Sequence, residues 1–112
     1  MIDVEMKRSE DEQSYILTMH GHAEHVKTDP MDPVCASASI LAYTVAQCVD
    51  DMHRAKGLRK KPTIKLDKGS AEIVFKPKKN YEDDALTLLW VAENGFTLLA
   101  HNFPDSIQVK TL

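Results

Sequence analysis

Two short stretches carry residues able to do chemistry: Gly21-His22-Ala23, and Pro33-Val34-Cys35-Ala36-Ser37-Ala38-Ser39. The first closes a predicted strand and the second opens a predicted helix, so a connecting loop can bring an imidazole and a thiol together. A thiol beside a base is the minimum equipment for nucleophilic attack on a carbonyl.

The helix side of the pair is legible in detail. Asp32 is a good N-cap, and Pro33 suits the first helical position, where its missing N–H costs nothing. Val34 begins an apolar repeat that continues through Ala38, Leu41, Val45, Cys48 and Met52. Cys35 is therefore a first-turn residue. A thiolate there lies near unpaired backbone N–H groups and the positive end of the helix dipole. Advancing about 100° per residue from Val34, the core stripe stays near its starting direction, whereas Cys35, Ser39, Ala42 and Ala46 fall at roughly 80–140°. Cys35 is then expected beside the core and Cys48 within it as a small buried hydrophobe. Asp32 either orients His22 as a third member or caps the helix. Ser39, one turn beyond Cys35, either hydrogen-bonds near the sulfur or permits close packing.

These elements belong to a legible chain. Ile2, Val4 and Met6 alternate, a polar turn runs from Arg8 to Gln13, and Tyr15, Leu17 and Met19 alternate again, which predicts a hairpin ending at Gly21. The first helix is expected from Pro33 to about Lys56, stopping at Gly57. A second hairpin follows: Ile64 and Leu66, a turn at Asp67-Lys68-Gly69, then Ala71, Ile73 and Phe75. Asn80 is expected to cap a second helix with Glu82, Asp83 and Asp84 in its first turn. Tyr81, Ala85, Leu88, Leu89, Ala92, Phe96 and Leu99 stay in phase across Asn94-Gly95, so one helix is expected despite a glycine that costs about 1 kcal/mol against alanine. Ile107 and Val109 write a last strand. The order is ββαββαβ in one domain over residues 1–112, an α/β fold of the α+β type in which a mainly antiparallel sheet packs with two helices. The longest candidate loop, from Ala23 to Met31, lies between the two chemical motifs, where a lid or substrate clamp would sit.

Composition narrows the function classes. The 112 residues are 43% hydrophobic and 28% charged, ordinary for one globular domain. A net charge of -3 argues against direct nucleic-acid binding through a general basic field. Arg54, Lys56, Arg59, Lys60 and Lys61 form a local cluster that fits a solvated helix end. No hydrophobic run approaches a membrane span and the first residues enter a strand pattern directly, so a cytoplasmic location without membrane contact is expected. Two cysteines kept as thiols suit a reducing compartment. His20, His22, His25 and Cys35 offer soft ligands, but without the paired spacing of a zinc site, so no metal or cofactor is expected.

Gly-His-Ala, a short variable loop and Asp-x-Val-Cys-Ala-x-x-Ser at a helix start resemble the ribosomal-processing cysteine protease family, Prp. The likeness takes in the Met1-Ile2-Asp3-Val4 strand, the small-residue helix and the ending Gly95-Phe96-Thr97-Leu98-Leu99-Ala100 with Phe103-Pro104 and Ile107-Gln108-Val109. The resemblance implies a cysteine endopeptidase with a catalytic dyad at His22 and Cys35, supported by Gly21, Asp32 and Ser39. It also implies a substrate, the N-terminal extension of a large-subunit ribosomal protein, and a homodimer. Where that family has a glycine two residues before the aspartate and an aliphatic residue after it, this chain has Pro30 and Pro33. Pro33 is compatible with the helix start. Pro30 stiffens the loop and leaves open a second reading, a non-catalytic protein-binding module on the same fold.

Overall fold

A computed structural model describes residues 1–11, 13–21 and 32–111. His22, His25, Pro30 and the rest of the loop expected from Ala23 to Met31 lie outside the described residues. The elements run β1 (Ile2–Arg8), β2 (Tyr15–Gly21), α1 (Pro33–Arg54), β3 (Thr63–Asp67), β4 (Ser70–Phe75), a 3₁₀ turn (Lys79–Tyr81), α2 (Glu82–Asn102) and β5 (Ile107–Lys110). This is the expected ββαββαβ order. The strands form one sheet in the order β3-β4-β2-β1-β5, antiparallel except where β5 lies parallel to β1.

Alternation along the strands builds the core. The register aligns Val4 with Met19, Met6 with Leu17, Leu17 with Ile73 and Tyr15 with Phe75. These side chains, with Ile2, Ala71 and Ile107, are buried. The intervening residues are less covered, Asp3, Lys7 and His20 being exposed and Glu5, Ile16 and Thr18 partly so, which is the pattern of an antiparallel sheet covered on one side. Val34, Ala38, Val45 and Val49 of α1, with Ala85, Leu89, Ala92 and Phe96 of α2, complete the same cluster.

The sheet is tied to α2 by one polar cluster. The Tyr15 hydroxyl donates to Glu82 Oε1 at 2.6 Å and accepts from Arg8 Nη2 at 3.0 Å, and the Arg8 guanidinium lies 5.0 Å from the Tyr15 ring centroid. Burial, then the hydrogen bond and charge of Glu82, push the Tyr15 phenol up from 10.0 to about 12, with Arg8 opposing them. An acid whose folded pKa is raised stabilises the fold fully below the unfolded value and loses that contribution as pH climbs to the folded one. Stability is therefore expected to fall between pH 10 and about 12 through this residue. Thermal melts across that range should show a shallower loss in Tyr15→Phe than in the parent protein. Equal slopes would remove Tyr15 from the account.

Two boundaries and one burial pattern differ from the sequence reading. First, α1 ends at Arg54, and the left-handed residue beyond it is Lys56, at φ 61°, rather than Gly57. Gly57 serves close packing, since a Cβ there would come within 2.7 Å of the Tyr81 ring. Second, Asn80 does not cap α2. It sits inside the 3₁₀ turn, and Tyr81 holds the N-cap position without a side-chain bond. Third, the covered arc of α1 is wider than one stripe. Ala42 and Ala46, expected beside the core with Cys35, are buried, whereas Cys48, Leu41 and Met52 are only partly covered. The sheet takes one flank of α1 and α2 takes the other, so burial follows two contacts. Gly95 explains the second of them. A Cβ there would come within 2.8 Å of Leu41 Cδ2, so the glycine in α2 lets the helices approach closely.

Candidate active site

The local sequence around Cys35 folds as its capping residues dictate. Asp32 adopts an extended backbone (φ -55°, ψ 123°), and Pro33 takes the first helical position. Asp32 Oδ1 accepts from the N–H of Val34 at 2.8 Å and of Cys35 at 3.1 Å, while the Asp32 carbonyl accepts from the N–H of Ala36 at 2.9 Å. Asp32 is 8% exposed, and its Oδ2 has no hydrogen-bond partner among the described residues. The carboxylate thus caps the helix. Such a bond contributes about 1 kcal/mol, more when it is buried.

Cys35 sits on the first turn, partly buried against the core cluster, and Ser39 is half-buried one turn further along. The neighbouring Ser37 hydroxyl donates back to the Pro33 carbonyl at 2.6 Å. Cys35 and Cys48 are both thiols rather than a disulfide pair. Among the described residues no group of three histidine, cysteine or acidic side chains is placed to hold a metal ion.

On the strand side, Gly21 closes β2 at φ 107°, a conformation that disfavours any residue with a side chain. Its N–H donates to the Gly69 carbonyl at 3.0 Å, which ties the end of β2 to the turn of the second hairpin. A Cβ on Gly21 would lie 2.1 Å from the Met1 carbonyl oxygen. The chain therefore leaves β2 through a position that only glycine fills, immediately before His22.

The capping role expected of Asp32 engages the first-turn N–H groups of Val34 and Cys35. The strand order was not visible in sequence. Among the described residues β2 lies between β1 and β4, so the strand leading to His22 has no edge on which a peptide could pair. The edges belong to β3 and β5. The order of pairing, which no local pattern encodes, decides this.

The two thiols differ in setting although both are partly covered. Iodoacetamide is expected to alkylate Cys35 faster than Cys48, because only Cys35 lies at the positive end of α1. Peptide mass mapping after short exposure measures this. Equal rates, or Cys48 first, would contradict it.

A thiol at a capped helix start, beside a one-sided five-stranded sheet with two helices, defines a small α+β domain built around a helix-terminal cysteine. The family profile described as cysteine protease Prp matches residues 1–108, and the chain belongs to that family. Among curated proteins it has no match. Among solved structures it is similar to the essential ribosomal processing protease Prp of S. aureus in complex with a covalently linked product peptide. That likeness has TM-score 0.69 and 20% identity, covering 100% of both chains. The same protease in complex with a substrate peptide gives TM-score 0.66 at 19% identity, again over 100% of both chains. A Streptococcus mutans protein gives TM-score 0.64 at 23% identity, covering 100% of this chain and 94% of the other. These likenesses agree on the fold.

Proposed function

We propose that this chain is a thiol endopeptidase that removes the N-terminal extension of a large-subunit ribosomal protein. The observation that carries the reading is the cysteine protease Prp match over residues 1–108, together with Cys35 on the first turn of α1. His22 and Cys35 form the dyad. His22 takes the Cys35 proton, and the thiolate attacks the scissile carbonyl to give a tetrahedral oxyanion. The C–N bond breaks as His22 returns the proton to the leaving amine. Water then attacks the thioester, losing its proton to His22, and the released thiolate regains that proton.

Asp32 supports the dyad as the cap that holds Cys35 at the helix start. The Cys35 N–H is the candidate oxyanion donor, and its bond to Asp32, the longer of the two side-chain cap bonds, is the one a substrate oxyanion would share. Ser39 permits close packing beside Cys35, and Gly21 sets the direction in which the chain enters His22. The enzyme works in the cytoplasm as a homodimer, without metal or cofactor. Among the described residues no helix is long and apolar enough to cross a membrane.

The test is to incubate the protein with large-subunit ribosomal proteins carrying their N-terminal extensions and to sequence the new N-termini. One discrete new N-terminus, lost in Cys35→Ala, is expected. Binding of such a protein with no new N-terminus would favour a binding module instead.

A further inference from the structure

Among the described residues, an apolar strip of the sheet is left uncovered. β3 is an edge strand, and Ile64 and Leu66 pair in register with Ile73 and Ala71, which are buried beneath the helices. Yet Ile64 is only half-buried and Leu66 is 39% exposed, because α1 does not reach the edge. Between α1 and β3 runs a groove of about 510 Å³, lined by Tyr43, Ala46 and Asp50 of α1, by Ile64 and Leu66 of β3, and by Lys61.

Three observations say what this groove fits. An edge strand presents unpaired backbone N–H and C=O groups, which an extended chain satisfies by adding beside it. A strand added to β3 would direct alternate side chains toward the helix-covered face, over Ile64 and Leu66 and under Tyr43, so the occupant carries apolar residues at every second position. The α1 residues of the groove also continue the helix face that holds Cys35 and Ser39. At about 1.5 Å per residue, Tyr43 lies about 12 Å along the axis from Cys35. An extended chain covers that in about four residues and reaches the far end, near His53, in about eight.

Charge narrows the occupant further. The far end of the groove is lined by Lys61, within the run Arg59-Lys60-Lys61, by His53 and by Asp50, whose carboxylate is paired with Arg54 at 3.0 Å. That end repels a free amino terminus and favours an internal stretch of chain or one bearing carboxylates.

We infer that the groove between α1 and β3 is a distal docking site for the substrate chain. It takes an extended internal segment roughly four to eight residues from the scissile bond, which adds to β3 as a further strand. The inference rests on the protease reading for its substrate, but not for the groove itself.

The experiment compares synthetic peptides of the ribosomal-protein tail that share the scissile region. They are either cut short three residues to each side or extended by about eight residues on one side or the other. Extension on one side is expected to raise kcat/KM by about tenfold, and in Leu66→Glu or Tyr43→Ala that advantage should collapse toward unity. Thermal melts confirm that each variant is folded. If extension on neither side matters, or the advantage survives in both variants, the docking site is overturned while the protease stands. If no peptide is cut at all, the protease reading fails, and amide shifts in Cys35→Ala protein decide the groove separately. Shifts confined to Thr63–Asp67 and the facing side of α1 on adding an extended peptide would keep it. Their absence would reject it.

Discussion

Cys35→Ala is expected to lower kcat for tail cleavage by on the order of 10³-fold or more, with the melting temperature nearly unchanged. The reason is chemical: without sulfur there is no atom to form the thioester, and the remaining helix start can only bind. Removing the base should cost nearly as much, because an unassisted thiol must lose its proton to water. The dyad acts as a unit, so the double variant with His22→Ala should be no worse than the poorer single variant. His20→Ala and His25→Ala should keep most activity. His20 lies on the exposed face of the sheet, whereas the proposed base follows Gly21 directly. Steady-state kinetics on the tail peptide decide among these, and loss in His25→Ala equal to that in His22→Ala would move the base to the loop.

Gly21→Ala is expected to be the most destabilising single methyl in the chain, by about 3 kcal/mol. Two independent costs combine there. The backbone at φ 107° is unfavourable for alanine, and the new Cβ would sit 2.1 Å from the Met1 carbonyl oxygen, a backbone atom that cannot swing aside. Relief requires β1 to shift against β2, which disturbs the pairing of Ile2 with Gly21 and the approach to His22. Chemical denaturation should therefore show the loss of stability together with a loss of activity larger than stability alone explains. Gly95→Ala is the useful comparison. Its Cβ would press on the far end of the Leu41 side chain, which can turn away, so its cost should be much smaller.

The sequence made the elements legible because their signals are local. Alternation in Ile2, Val4 and Met6 and in Ala71, Ile73 and Phe75 marks strands, and Asp32-Pro33 marks the start of α1. The in-phase apolar residues of α2 survive Gly95, as the single helix Glu82–Asn102 confirms. What failed was non-local. Ala42 and Ala46 looked peripheral because one stripe cannot show that α1 is covered by a sheet and a second helix together. Cys48 looked central for the same reason. Nothing in the run from Tyr15 to Gly21 states that β4 pairs along one side of it and β1 along the other, so the interior place of β2 in the sheet is not legible there. Asn80 is a good capping residue by type, but the 3₁₀ turn from Lys79 places it one residue too early to cap α2.

The position of Cys35 was read correctly as first-turn, and Asp32 caps the helix as one of its two expected roles. That capping role engages the first-turn N–H groups of Val34 and Cys35, the ones a substrate oxyanion would need. The competition gives Asp32 two opposed effects. It fixes the helix start that carries the thiol, and it holds the Cys35 N–H that the reaction would borrow.

The central claim is that Cys35 becomes covalently attached to the substrate, and rapid acid quenching tests it most directly. The protein is mixed with a tail peptide, stopped within the first turnover and digested, and the cysteine-bearing fragments are weighed. The account predicts a thioester joining Cys35 to the N-terminal product fragment, absent when His22 is replaced by alanine. Cleavage without any adduct on Cys35, or an adduct on Cys48 instead, would contradict it.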